Sequence, residues 1–80
     1  MNIQILFFGI TTDLIGHSMI NLTVAENITV DNFKFYLKET YPQLQNLDSY
    51  AIAVNETYAD NNLVLSENDV VAIIPPVSGG

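Results

Sequence analysis

Cysteine and arginine are absent from this chain, and histidine occurs once, at His17. Without cysteine there is no disulfide, no thiolate metal site and no thiol nucleophile. Two lysines stand against nine acidic residues, for a net charge of −7. Nucleic acid and anionic membranes are therefore not expected as partners, because binding them depends on neutralising phosphates with Lys and Arg. No apolar run reaches the roughly 18–20 residues of a membrane span, and the N-terminus lacks the basic region of a signal peptide. A reducing cytoplasm fits these absences. Catalytic patterns are missing as well. His17 has no relay partner nearby in sequence, and Ser18, Ser49, Ser66 and Ser78 sit in no nucleophile-elbow pattern. The acids, Glu67 and Asp69 among them, lack metal-loop spacing, and there is no glycine-rich phosphate loop. No metal site and no stably bound cofactor are expected, nor an enzyme built from side chains.

What is present is a small hydrophobic domain. Eighty residues bury only about 60–65% of their unfolded surface, so the core is small and the stability marginal. A 49% hydrophobic content is nevertheless enough for a packed fold. The acidic excess has two readings: a basic protein partner whose encounter the field speeds, or a device that keeps a hydrophobic domain soluble.

Along the chain, Asn2 to Phe8 alternates as a strand, with Ile3, Ile5 and Phe7 on one side and Gln4, Leu6 and Phe8 on the other. Gly9 through Gly16 reads as a polar loop, and His17 to Val24 as a second strand paired with the first. Thr29 is a plausible N-cap for a helix from Val30 to about Thr40, with an apolar stripe at Val30, Phe33, Leu37 and Tyr41 and with Tyr36 at its margin. Asp31 and Lys38 complement the helix dipole, and Tyr41-Pro42 ends it. Leu44 and Leu47 tuck a connection against the core. Tyr50 to Val54 is a third strand, Asn55-Glu56 a turn, Thr57 to Ala59 a short return and Leu63-Val64-Leu65 a brief segment. Asn68 accepts positive φ in the turn before the last strand, Asp69 to Ile74. The order strand, strand, helix, short strands and one long apolar strand predicts an α+β, β-grasp fold. Its mixed sheet carries one main helix packed on one face, and the first and last strands lie side by side in the middle. Residues 1–74 form the domain and residues 75–80 an extended tail.

That tail, Pro75-Pro76-Val77-Ser78-Gly79-Gly80, is the most informative segment. Two prolines fix φ and hold Ile74 extended, so the tail leaves the fold stiff and straight. Gly79 and Gly80 have no Cβ, so their backbone enters a channel too narrow for other residues. The group delivered at its end is the α-carboxylate of Gly80. Glycines at a terminus are also common where the chain simply frays; the strand and double proline directly ahead of them favour a working tail.

A sheet covered on one face should alternate apolar and polar residues. The first and last strands do not. With Ile5, Phe7, Val71 and Ile73 facing the helix, Leu6, Phe8, Val70, Ala72 and Ile74 face outward, an apolar strip of the kind that marks an interface unless loops or the tail cover it.

On Ile5-Leu6-Phe7-Phe8, Leu14-Ile15-Gly16, Thr29-Val30, Ala53-Val54-Asn55-Glu56-Thr57, Leu65, Asp69-Val70-Val71 and above all the PPVSGG ending, the chain resembles the small, sulfur-carrier subunit of molybdopterin synthase. This is the MoaD group of ubiquitin-like β-grasp proteins. The resemblance implies a sulfur carrier in molybdenum cofactor biosynthesis rather than an enzyme in its own right. An ubiquitin-activating-like adenylyltransferase uses ATP to adenylate Gly80, a sulfur donor replaces AMP to leave a thiocarboxylate, and the tail enters the large synthase subunit to deliver sulfur to cyclic pyranopterin monophosphate. The partners it implies are that adenylyltransferase and the large subunit, two copies of each subunit forming a heterotetramer. By position, the family's apolar docking surface falls on Phe8, Tyr58 and Ile74, continued by Pro75, Pro76, Val77 and Ser78, with Gly79 giving access. Thr11-Thr12 stand where the family often has a basic residue, Asn68 where it usually has glycine, and Tyr58 where an aliphatic residue is expected. Two other readings remain: a carrier for thiamin or cysteine synthesis, and a non-catalytic ubiquitin-like binding module with an idle tail.

Overall fold

The computed structural model describes residues 1–76. Five strands form one mixed sheet in the order β2-β1-β5-β3-β4, with β1 at Asn2–Phe7, β2 at Met19–Thr23, β3 at Ala51–Val54, β4 at Thr57–Tyr58 and β5 at Val70–Ile74. β1 and β5 run parallel as neighbours, and all the other pairings are antiparallel. The apolar strands β1, β5 and β3 thus take the interior of the sheet, where both edges of their backbones are bonded. With one main helix across one face, this is the expected β-grasp arrangement.

Helix α2, Val30–Thr40, begins where the sequence places it. Its first free amides are all met: Thr29 Oγ1 accepts from Asn32 N at 3.2 Å, while Val30 N and Asp31 N donate to the carbonyls of Leu63 and Asn61. The brief segment Leu63-Val64-Leu65 therefore serves the helix, and its one sheet-like contact is a single bridge between Val64 and Thr29. Val30, Phe33 and Leu37 are fully buried against Ile3, Ile5, Phe7, Val71 and Ile73, and Leu44 and Leu47 close the core from two short 3-10 turns, Pro42–Leu44 and Leu47–Ser49. Lys34, unlike the rest of the helix's polar positions, has its stem in this core.

The sequence reading fails at Gly9–Gly16. This stretch is not a loop but contains a six-residue helix, α1, Ile10–Ile15. Threonine and glycine hide it, because both are weak helix formers and a single turn has no periodicity to detect. Side-chain hydrogen bonds hold it. Thr11, fully buried, donates through Oγ1 to Phe8 O and accepts from Phe8 N, and Thr12 Oγ1 donates to Phe7 O at 3.1 Å. Gly16 closes the turn in the left-handed region, φ 84°, with its N–H on Thr12 O. The second strand is correspondingly shorter than expected, starting at Met19.

Candidate functional site

Pleating alone decides which side chains reach the uncovered face. Along β1 and β5 burial alternates strictly: Ile3, Ile5, Phe7, Val71 and Ile73 are buried, while Leu6, Val70, Ala72 and Ile74 are half-buried on the far side and Phe8, just past β1, is 48% exposed. The register aligns this outer set across the sheet. Leu6 pairs with Ala72, Ala72 with Ala53, and Ala53 with Tyr58, and residues directly paired share a face. Phe8, Tyr58 and Ile74, placed by resemblance on a docking surface, therefore lie on one face and line one apolar groove of about 330 Å³, floored by Leu6, Ala53 and Ala72. Tyr58 is 74% exposed, the most open of the three.

Three features of this face escaped the sequence reading. Met19 pairs with Leu6 and carries the apolar strip onto β2, where it is 45% exposed; the alternation Met19, Asn21, Thr23 against Ile20, Leu22 would have placed it once the hairpin register was known. Thr11 is not a contact available to a partner. It is buried and engages both the N–H and the carbonyl of Phe8, so it fixes the backbone that turns the Phe8 ring outward. Gly9 adopts φ 56° and ψ −135°, a backbone essentially closed to other residues, and a Cβ there would stand 3.2 Å from Pro75 Cγ. Gly9 is thus the seat for the first tail residue. Nothing local in sequence signals a contact between positions so far apart.

Pro75 is half-buried and Pro76 exposed as the chain leaves β5 beside Phe8. Val77, Ser78, Gly79 and Gly80 lie outside the described residues.

The acids do local structural work. Asp69 accepts from Ser66 N at 2.7 Å and from Asn55 Nδ2 at 2.9 Å, and Glu67 accepts from Asn2 N at 2.6 Å, so these two carboxylates brace the ends of β1 and β5 separately. A larger open hollow of about 680 Å³ beside β4 is lined partly by Asn55, Asp60 and Asp69, whose polar atoms are already engaged in turns. Among the described residues no cluster of His, Asp and Glu is placed to hold a metal, and no helix is long and apolar enough to cross a membrane. The Asp48 carboxyl is held below its ordinary range by the Lys38 ammonium that donates to it at 2.8 Å; this pair joins α2 to the second 3-10 turn.

The family model described as the ThiS family matches residues 5–80. The chain belongs to the ThiS family. Relatives within reach of it include a molybdopterin synthase sulfur carrier subunit from Dictyostelium discoideum, 37% identical and aligned over 96% of this chain and 94% of its own length. A structure from Helicobacter pylori, titled as the complex of subunits 1 and 2 of molybdopterin-converting factor, superposes on this ThiS-family chain with a TM-score of 0.71 at 27% identity, both chains covered in full. SAMP1 from Haloferax volcanii, at 21% identity, shares the fold with a TM-score of 0.88 over the whole of both chains.

Proposed function

We propose that this chain is the sulfur-carrier subunit of a molybdopterin synthase and that its working group is the α-carboxylate of Gly80. The observation that carries this reading is the placement of the groove: its Phe8 and Ile74 end adjoins Pro75, so a partner seated on the face also receives the tail. Full-length relatedness to proteins named as molybdopterin synthase sulfur carriers supports it over a carrier for thiamin or cysteine synthesis. The partners are a large synthase subunit, assembled as two small and two large subunits, and an ubiquitin-activating-like adenylyltransferase working in the cytoplasm.

A carboxylate is a poor acyl donor. Adenylation at the expense of ATP gives Gly80 a good leaving group, AMP, which a sulfur donor displaces to leave a thiocarboxylate. The sulfur then attacks the cyclic pyranopterin precursor in the large subunit, water hydrolyses the resulting thioester so that Gly80 leaves as its carboxylate, and two such transfers build the dithiolene. The carrier needs no acid–base side chain, because the partner supplies the basic residues that bind substrate; two lysines and no arginine in this chain agree with that division. Both partners use the same apolar face in turn.

The test is the intact mass after incubation with the activating enzyme, ATP and a sulfur donor. A rise equal to one oxygen replaced by sulfur, placed at Gly80 by fragmentation, is expected. Deleting Gly80 should abolish sulfur transfer and leave folding intact. An active Gly80-deleted protein sinks the proposal.

A further inference from the structure

Apolar contact is non-directional, so a groove lined by Phe8, Ile74 and Tyr58 alone would let a partner settle in more than one orientation. One charged side chain lines it. Glu56 stands at the β3–β4 turn, next to Val70, at the end of the strip farthest from the tail. Val70 to Ile74 spans about 13 Å at strand spacing, so the carboxylate and the Phe8–Ile74 end mark the two extremes of the face. Two further observations single it out. The two-residue β3–β4 turn puts Asn55 at φ 51° and Glu56 at φ 72°, and at this left-handed position a glutamate stands where glycine would be accommodated without cost. Among the described residues no cation is there to serve it: both lysines lie on α2, behind the opposite face, with Lys38 on Asp48, His17 adjoins Ser18 at the tail end of β1, and the N-terminal ammonium donates to Val24 O beside Glu26.

We infer that Glu56 is the orienting contact of this face, and that the large synthase subunit presents a Lys or Arg over it while its apolar side chains cover Phe8, Tyr58 and Ile74. The inference rests on the docking reading above. Covering an unpaired carboxylate is costly, so a partner lacking that cation is rejected, and one bound the wrong way round leaves Glu56 unmatched and misdirects the tail.

The experiment titrates the purified large subunit against the wild-type chain and four variants at low and high ionic strength. Glu56→Gln should bind about fivefold more weakly at low salt, with the gap narrowing as salt rises, and Glu56→Lys about a hundredfold more weakly. Reversing one Lys or Arg of the large subunit to Glu should restore binding of Glu56→Lys. Glu56→Gly should weaken binding as the glutamine does while melting no lower than wild type, a combination a purely structural glutamate would not give. Wild-type affinity for Glu56→Gln and Glu56→Lys, with Phe8→Asp failing to bind, overturns the inference and leaves the docking face standing. Wild-type affinity for Phe8→Asp overturns the docking face, and the role of Glu56 falls with it.

Discussion

The two faces of this sheet are built from the same strands and nearly the same residue types, yet one is core and the other is surface. On the inner side, Ile5, Phe7, Val71 and Ile73 meet α2 and lose essentially all contact with water. On the outer side, Leu6, Phe8, Ala72 and Ile74 have no helix over them. Burying an aliphatic or aromatic side chain is worth about 1.5–3 kcal/mol wherever it happens. The inner residues realise that gain in full on folding, and the outer ones, half-buried or exposed, only in part. An 80-residue chain with little stability to spare leaves one face of its central strands uncovered.

The comparison breaks most sharply by truncating each face. Phe33→Ala, under the inner face, should cost about 3–5 kcal/mol, most of what a domain this small possesses, and a denaturation curve should show it largely unfolded or melting far lower. Phe8→Asp should melt as the wild type does yet lose partner affinity by about a hundredfold or more. If the two variants changed the same property, the faces would not be separable. Gly9→Ala probes the junction between them. Strain at φ 56° and a Cβ 3.2 Å from Pro75 Cγ should cost about 1–2 kcal/mol of stability. Sulfur transfer should slow beyond what that loss explains, because the tail root shifts; wild-type single-turnover rates would show that the contact does not aim the tail. The smallest effect lies on the covered side. Asp48 is depressed below its ordinary value of 3.8, chiefly by the hydrogen bond from Lys38. A carboxyl lowered in the fold adds stability above its unfolded value and gives it up as pH falls through its folded value. Asp48→Asn should therefore lower stability slightly at neutral pH and flatten the acid limb of the curve, with partner affinity unchanged.

Much of this division was legible in the sequence, because it depends on short-range periodicity. Thr29 and the Val30, Phe33, Leu37 stripe announce α2. The missing alternation in Leu6-Phe7-Phe8 and Val70 to Ile74 announces two apolar faces, since a side-chain period of two leaves no other arrangement. Asn68 takes φ 67°, as its turn position suggested. What was illegible depends on hydrogen bonds or long-range contact. Helix α1 exists through the threonine hydroxyls closing over Phe7 and Phe8. Leu63 and Val64 look like strand but supply a carbonyl to the start of α2. Met19 joins the uncovered face through a register set across a hairpin, and the seat of Pro75 on Gly9 couples the two ends of the chain.

The position of β5 has a mechanical meaning. Its ladder to β1 on one side and to β3 on the other flanks the strand whose end carries the tail. A pull applied at Pro76 along the axis of β5 loads both ladders in shear, and their bonds must give way together rather than peel one by one. An edge strand in the same role would have one ladder instead of two to resist that load. On the sulfur-carrier reading proposed above, partners that grip and release this end would load a strand bonded on both sides, and the body that presents it would keep its shape.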